Sequence, residues 1–225
     1  MSNTSKGLMA FWADIEPSYV EEYKRWHNEE HMAERLSIPG FKTSQRYSAV
    51  TGTRMFFMYY DTTSPQVLES EAYKRALNTP TEWTKRSLLH FRNPLRNLYR
   101  EVSERGDEPF SASKVVLTAR FDLPSGEGVV TPLAIAEKVA TDGTCRTRCF
   151  EMEVAATAAT TAERSIYGAQ VESPRYLVIV ERSAISPADD PERLRQELKQ
   201  SGGVNPVVEL FNLDFSMRAP AESTN

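Results

Sequence analysis

The sequence predicts an α+β fold in which two tandem βαββαβ units pack sheet to sheet as one barrel. Two observations support this prediction. The pattern strand, helix, strand, strand, helix, strand occurs twice along the 225 residues. Strands such as residues 56–60 (FFMYY) are apolar on both faces, which suits a sheet that is covered by helices on one side and by a second sheet on the other.

The N-terminal unit begins with an apolar strand at residues 7–14, followed by apolar positions at helical spacing through residues 17–36. Pro17 marks the start of this helix, and Pro39 with Gly40 lies beyond its end. The later elements, in chain order, are strands at residues 41–50 and 54–61 that form a hairpin, a helix at residues 65–77, a loop broken by Pro80, and a strand within residues 90–102.

The C-terminal unit repeats the order of elements without evident residue identity. Its elements are a strand at residues 114–122, a helix at 131–141, strands at 144–154 and 175–182, a helix at 188–200 and a strand at 206–217. An Ala/Thr-rich insert at residues 155–162 is expected to be a loop. The predicted boundaries are residues 1–103 for the N-terminal unit, 104–112 for a polar linker, 113–218 for a mainly structural C-terminal unit, and 219–225 for a disordered tail.

Each βαββαβ unit is of the ferredoxin-like kind, in which helices cover one face of a four-stranded antiparallel sheet. The other face is apolar and needs a partner. Two units in one chain can cover each other, which predicts a pseudo-dimeric α/β barrel, the single-chain version of an obligate dimer. The tandem arrangement removes the need for dimerisation without forbidding it, so a homodimer stays open.

Composition excludes several classes of partner. The net charge of −4 and the pI of about 5.6 argue against nucleic acid and against an anionic membrane surface, since both attract basic patches. The sequence contains no apolar run that approaches the roughly 20 residues of a membrane-spanning helix, and its start does not read as a signal peptide. We therefore expect a cytoplasmic protein that acts on a small molecule.

The segment at residues 26–31 (WHNEEH) concentrates chemistry-bearing side chains, including two of the three histidines. Helical spacing places His27 and His31 on neighbouring turns, with Glu30 three residues after His27 and within the apolar stripe. A carboxylate there needs a partner, and a histidine is the nearest candidate. The pattern predicts a histidine–carboxylate pair that serves as a general base and faces a cavity between helix and sheet. The alternative is a polar network at the end of a helix.

The same segment carries a family resemblance. Residues 26–32 (WHNEEHM), followed by residues 38–41 (IPGF) and by Arg46-Tyr47, resemble the EthD-like families of the dimeric α/β-barrel superfamily. The resemblance covers about residues 7–100, whereas the C-terminal unit matches only in element order. It implies a small-molecule enzyme in a superfamily that includes isomerases, lyases, polyketide cyclases, cofactor-free monooxygenases and haem-handling enzymes. The fold alone does not choose among these reactions.

We expect His31 to act as the general base or acid, with His27 and Glu30 supporting it. The reaction expected is a cofactor-free isomerisation, elimination or carbon–carbon cleavage on an apolar, aromatic or polycyclic substrate. A cofactor-independent monooxygenase is the alternative, and a non-catalytic ligand-binding protein is a further one. A lid is expected at residues 78–83, and Arg46 and Tyr47 point to opposite faces of their strand, so only one of them can reach the cavity. The side chains expected to contact the substrate are Trp26, Arg46, Tyr47, Tyr73, Trp83 and His90.

The motifs also bear on metal and cofactor binding. His27, Glu30 and His31 match the H-x-x-E-H signature of inverted zinc peptidases, but the small repeated fold and the family resemblance argue against zinc. Cys145 and Cys149 offer no second ligand pair. The sequence has no phosphate-binding loop or nucleotide fingerprint. We expect no metal and no cofactor, with haem to be tested by Soret absorbance because a single histidine can ligate it.

Residues 1–103 expressed alone test the tandem arrangement. The fragment keeps an apolar sheet face and loses its cover, so we expect it to dimerise or aggregate, whereas the full chain needs no such association. Size-exclusion chromatography with light scattering measures the difference. A stable, monomeric fragment would contradict the prediction.

Overall fold

The structure is a computed structural model of the chain, and it describes residues 5–106, 114–124, 131–139, 146–168 and 174–221. The strand that precedes the predicted linker continues to Arg105, so the linker's first two positions, residues 104 and 105, belong to a strand. Residues 107–112 of the predicted linker and residues 222–225 of the predicted tail lie outside the described residues.

The described residues form an α+β fold built on an antiparallel barrel, as the sequence predicts. The strands are β1 Gly7–Ile15, β2 Phe41–Thr51, β3 Phe56–Thr62, β4 Phe91–Arg105, β5 Val115–Asp122, β6 Arg146–Met152, β7 Tyr176–Arg182 and β8 Val204–Arg218. They close in the order β1-β3-β2-β8-β5-β7-β6-β4. All eight pairings are antiparallel.

Helices cover the outside of this barrel. They are α1 Val20–Trp26, α2 Met32–Leu36, α3 Glu71–Asn78, α4 Glu82–Leu88, α5 Pro132–Val139, α6 Val154–Ala158, α7 Ala162–Tyr167 and α8 Pro191–Gln200. Among the described residues, no helix combines the length and the apolar character that crossing a bilayer requires.

Alternation along the strands separates the barrel interior from the layer beneath the helices. In β1, Leu8 and Trp12 belong to a fully buried apolar cluster to which seven other strands contribute. Met9 and Phe11 point the other way and pack beneath the helices of the N-terminal half. Strands that are apolar on both faces are thus buried on both faces, which is the pattern that residues 56–60 predict.

Two seams join the N-terminal and C-terminal strands. β2 pairs with β8, and β4 pairs with β6. Inside the barrel the rings of Phe57 and Phe211 lie 5.5 Å apart across these seams, and Arg148 of β6 forms an ion pair with Asp61 of β3. The two halves therefore share one interior.

The predicted helix at residues 17–36 is confirmed, but it is not a regular α-helix throughout. A π-helical turn, His27–His31, separates α1 from α2, and within it the Met32 N–H donates to the His27 carbonyl. A π turn inserts one extra residue into a helix and is frequently found at functional sites. Apolar periodicity does not reveal it, because one residue in a long helix barely shifts the pattern.

Two predicted loops contain helix. α4 follows Pro80, where Thr81 caps the helix by accepting a hydrogen bond from the Thr84 N–H. The Ala/Thr-rich insert forms α6 and the start of α7, so the loop predicted at residues 155–162 is wrong. Alanine has the highest helix propensity, and α6 is fastened to β4 by the bond from the Leu98 N–H to Thr157 Oγ1 (2.9 Å).

The shared interior predicts energetic coupling between the halves. Phe57→Leu and Phe211→Leu should each lower the free energy of unfolding by about 1–2 kcal/mol, and the double variant should depart from additivity by about 0.5–1.5 kcal/mol because the two rings are in contact. Phe57→Leu combined with Phe121→Leu is the matched control, since Phe121 packs outside the barrel. Urea unfolding measures the wild type, each single variant and both double variants. Additive Phe57 and Phe211 effects would contradict the shared interior.

Candidate functional site

A cavity lies between the outer face of the N-terminal strands and the helices that cover them. Its volume is about 30 Å³, which is room for one or two water molecules. The lining is mainly aromatic and aliphatic, with two histidines, two arginines and one glutamate. The lining residues are Met9, Phe11, Trp26, His27, His31, Arg35, Met58, Tyr60, Tyr73, Leu77, Leu88, Phe91, Arg96, Glu163 and Tyr167.

His27 is fixed by two polar neighbours. An Arg46 N–H donates to its Nδ1 over 3.1 Å, and its Nε2 lies 3.4 Å from the hydroxyl oxygen of Tyr60. Because arginine can only donate, Nδ1 accepts and the proton resides on Nε2. Burial lowers the pKa of His27 well below its usual range, and the charges of Arg46 and Arg35 lower it further. The ring is therefore neutral, and its lone pair is already occupied.

Arg46 connects the π turn to the barrel. It also donates to Asn28 Oδ1 (2.9 Å) and, through Nε, to Asp214 Oδ2 (2.9 Å) on β8. Of the two neighbours on β2, Arg46 is thus on the helix side, whereas Tyr47 belongs to the apolar cluster inside the barrel. Arg46 is not a lining residue of the cavity and acts on it through His27.

His31 has a different environment from His27. Its ring centroid lies 4.4 Å from that of Trp26, and its Nδ1 is buried without a hydrogen-bond partner among the described residues. Burial lowers the pKa of His31 well below its usual range, with Arg35 and His27 adding to the effect. The nearest carboxylate oxygen, Oε2 of Glu34, is 3.9 Å from Nδ1. His31 is a neutral imidazole with a free ring nitrogen.

The predicted pairing of Glu30 with a histidine is wrong. Glu30 Oε1 accepts hydrogen bonds from the indole N–H of Trp26 (3.2 Å) and from the hydroxyls of Thr81 (2.6 Å) and Thr84 (3.1 Å). Three neutral donors satisfy the carboxylate at the edge of the helix layer. Two of them lie on α4 and its cap, an element that the sequence pattern does not reveal.

The C-terminal half covers the cavity. Glu163 on α7 forms a buried ion pair with Arg35, and the ring of Tyr167 packs edge-on against Phe11 at 5.5 Å between centroids. The carboxylates of Glu163 and Glu34 raise the pKa of Arg35 above its ordinary value against the lowering effect of burial. Burial raises the pKa of Tyr167 to about 12. The C-terminal unit is therefore more than scaffold, since two of its side chains line the site.

The structure brings together four of the nine predicted site residues around the cavity, and these are Trp26, His27, His31 and Tyr73. Trp83 lies outside it, where its indole N–H donates to Glu22 over 3.0 Å. His90 stacks on Tyr19 with ring centroids 3.8 Å apart and binds Glu16, also away from the cavity. The predicted lid at residues 78–83 contributes no lining residue, and α7 is the cover instead.

Sequence reasoning missed Glu34, Arg35, Arg96, Glu163 and Tyr167. Glu34 could have been found, because it stands three residues after His31 in the same helix. No sequence pattern marks Arg96 and Glu163 as site residues. Their positions depend on strand pairing and on a helix within the insert.

The zinc alternative finds little support in this geometry. Both ring nitrogens of His27 face other groups, and the guanidinium groups of Arg35 and Arg46 repel a cation. Within the described ranges, no group of three or more histidine, cysteine, aspartate or glutamate side chains is placed to hold a metal ion. Cys149 is a buried free thiol, and Cys145 lies outside the described residues.

Known proteins share this fold at very low sequence identity. The chain is similar to an anthrone oxidase-like protein, with 9% identity and a TM-score of 0.57 over 97% of this chain and 94% of that chain. It is similar to a proposed monooxygenase from Fusobacterium nucleatum, with 7% identity and a TM-score of 0.57 over 96% and 95% of the two chains. A heme-binding protein from Thermus thermophilus shares 9% identity, with a TM-score of 0.50 over 93% and 91%.

No family model and no curated protein matches the sequence. The described α+β fold, with its eight-stranded antiparallel barrel, is similar to the fold of these solved structures. At these identities the likeness extends to the fold and not to the reaction.

The two buried histidines predict how stability depends on pH. Both have folded-state pKa values well below 6.5, so the unfolded chain binds protons near pH 6.5 that the folded chain does not. We expect the free energy of unfolding to be highest above about pH 7. Below about pH 6.5 it should fall by up to about 1.4 kcal/mol per pH unit for each histidine. Urea unfolding at pH 7.5 and 5.5 measures this loss. The variant with His27→Gln and His31→Gln should lose less, and an unchanged loss would contradict the prediction.

Proposed function

We propose that the protein is a small-molecule enzyme in which His31 removes a proton from an aromatic substrate and the resulting carbanion reacts with O₂. The observation that carries the proposal is the free, neutral imidazole of His31 in an aromatic cavity that also holds two guanidinium groups. A general base must be unprotonated before it acts. Burial and the nearby arginine keep His31 in that form at neutral pH.

The surroundings of His31 also suit the second half of a proton transfer. Once protonated, the imidazolium has the Glu34 carboxylate within 3.9 Å of Nδ1. The negative charge that develops on the substrate has Arg35 and Arg96 at the wall of the same cavity. Fixed charges around a water-poor site stabilise a developing anion without reorganisation. His27, with its lone pair held by Arg46, is a positioning residue in this scheme and not the base.

The oxidation balances without an electron donor when the substrate carbon is a CH₂ group. His31 takes one proton and leaves a carbanion, which transfers electrons to O₂ and forms a carbon–oxygen bond. Loss of water then gives C=O, so the sum is R₂CH₂ + O₂ → R₂C=O + H₂O. One oxygen atom ends in the product and the other in water, and the substrate itself is the reductant.

Two of the similar structures favour oxidation over the lyase or isomerase reaction expected from the motif. One is named an anthrone oxidase-like protein and the other a proposed monooxygenase. Isomerisation and elimination need the same base but consume no oxygen, so oxygen uptake separates them from oxygenation.

A substrate of aromatic size requires the cavity to enlarge. Its volume of about 30 Å³ accepts water and not a ring. The cover is α7, a helix of six residues that is held by the ion pair between Glu163 and Arg35 and by the bond from the Ala162 N–H to Asn78 Oδ1 (3.0 Å). Tyr167 adds an aromatic contact with Phe11. We infer that α7 moves to admit substrate, because it is a short helix that forms one wall of the cavity.

Haem does not fit this cavity. His27 has no free nitrogen for iron, since its Nδ1 accepts a hydrogen bond from Arg46 and its Nε2 faces the Tyr60 hydroxyl. His31 lies against the indole of Trp26, beside cationic Arg35, which is a poor setting for a ferric centre. The reaction proposed above therefore uses none.

We also infer that the chain is a fused pair of ferredoxin-like units related to the EthD-like families. The strand order β4-β1-β3-β2 in the first half corresponds to β8-β5-β7-β6 in the second. The motif at residues 26–32 forms the π turn beside the cavity in the first half, and the second half lacks it.

Anthrone, a polycyclic ketone with an acidic CH₂ group, is a suitable assay compound. We expect oxygen uptake with formation of anthraquinone, and His31→Ala should lower the enzyme-dependent rate by about 10²–10⁴-fold. His90→Gln is the matched control because His90 lies outside the cavity, and it should keep the wild-type rate. An oxygen electrode and product absorbance measure both quantities. Folded His31→Ala protein with an undiminished rate would refute the base, and product without oxygen uptake would favour the isomerase or lyase class.

A further inference from the structure

Arg96 is a buried cation that forms no ion pair with a carboxylate of the described residues. It lies on β4, its residue is 5% exposed, and it lines the cavity. Its one hydrogen bond to a side chain goes from Nη2 to the neutral hydroxyl of Tyr73 (3.0 Å), and its guanidinium lies 5.9 Å from the centre of that ring. Within the part of the chain that the structure describes, no carboxylate oxygen comes within 4.0 Å of it.

The other buried arginines of the described ranges are paired with carboxylates. Arg120 binds Glu209 over 2.9 Å inside the barrel, and Arg148 binds both Asp61 and Glu181. These ion pairs show how this chain accommodates a buried guanidinium that serves the fold. A buried charge without such a partner is costly, so the environment of Arg96 is incomplete.

The carboxylates near Arg96 already bind another arginine, Arg35. Glu163 binds Arg35, Glu34 also contacts Arg35 at 3.3 Å, and neither forms an ion pair with Arg96. Of the three charged groups that line the cavity, Arg35 and Glu163 offset each other, so the wall carries one net positive charge from Arg96. The remaining lining is apolar or aromatic apart from the neutral histidines and tyrosines. The missing partner is thus an anion attached to an apolar body.

We propose that the cavity binds its ligand as an aromatic oxyanion and that Arg96 is the specificity-determining residue that pairs with the ligand oxygen. This inference rests on the proposed function, because the deprotonated substrate of that reaction is such an anion. Arg96 presents several N–H donors to one oxygen or to a carboxylate, which arginine binds in a bidentate manner. Tyr73 holds the guanidinium in place. A carboxylate, a phenolate and an enolate share this chemistry.

Binding of 2-naphthoate and of its neutral isostere 2-naphthamide tests the proposal. Both probes have the same ring and nearly the same shape, so their difference reports the charge. Tryptophan fluorescence or calorimetry measures the dissociation constants. We expect the wild-type protein to bind 2-naphthoate at least about 10-fold more tightly than 2-naphthamide, since truncating one partner of a buried charge pair costs this much or more.

Three variants assign the preference to Arg96. Arg96→Met keeps the side-chain volume and should abolish the preference, Arg96→Lys should restore part of it, and Arg100→Met should leave it unchanged. Arg100 is the matched control because it stands on the same strand, is exposed and pairs with Glu151 outside the cavity. We also expect the Tm of Arg96→Met to equal or exceed that of the wild type, because the variant removes an uncompensated buried charge. A structural role would lower Tm in Arg96→Met without altering the preference.

The outcomes separate this inference from the proposed function. Equal affinity for the two probes, or a preference that survives in Arg96→Met, overturns the oxyanion inference and leaves the His31 reaction standing. A preference that depends on Arg96, together with an undiminished rate in His31→Ala, supports the inference and overturns the base. If neither probe binds the wild-type protein, the cavity is not a ligand site and both are overturned.

Discussion

The pairing of β4 with β6 determines the rest of the site. Because β6 joins the N-terminal sheet along β4, the chain that leaves β6 emerges above β4 and not above the C-terminal helices. The insert after β6 then forms α6 and α7 over the N-terminal half, where Thr157 bonds the backbone of Leu98 and Glu163 reaches Arg35. A strand pairing inside the barrel thus places a C-terminal carboxylate in an N-terminal cavity. The two halves are unequal in chemistry, but the site needs both.

The charges around the cavity affect both the protonation of its histidines and the charge of any bound ligand. Burial and the arginines keep His27 and His31 neutral, which preserves a lone pair on His31 and disfavours bound cations. The same arginines favour negative charge on whatever occupies the cavity. Arg46 holds His27 in one tautomer and ties the π turn to β2 and β8 through Asn28 and Asp214. The barrel therefore fixes the ring of His27 beside that of His31, and both rings are supplied by the helix layer.

Much of the fold could be predicted from periodicity, because strands and helices leave different spacings of apolar residues. The antiparallel barrel followed from strands that are apolar on both faces. The site was only partly predictable. Trp26, His27 and His31 were found because they lie in one motif, and Tyr73 because it lies on the second predicted helix. Tyr47, Trp83 and His90 were also assigned to the cavity but lie elsewhere. Face alternation shows that Arg46 and Tyr47 diverge but not which of them turns toward the helices.

The sequence by itself determined the order of the eight strands, their two-sided burial and the cluster of histidines in the first helix, since these depend on neighbours along the chain. Only the tertiary structure decided the partners. Glu30 could reach a histidine by helical spacing, yet Thr81 and Thr84 satisfy it from a helix more than 50 residues away in sequence. Arg96 and Glu163 enter the cavity through strand pairing and the placement of the insert. Hydrogen bonds and ion pairs form between groups that are close in space, and closeness between distant segments is a property of the folded barrel.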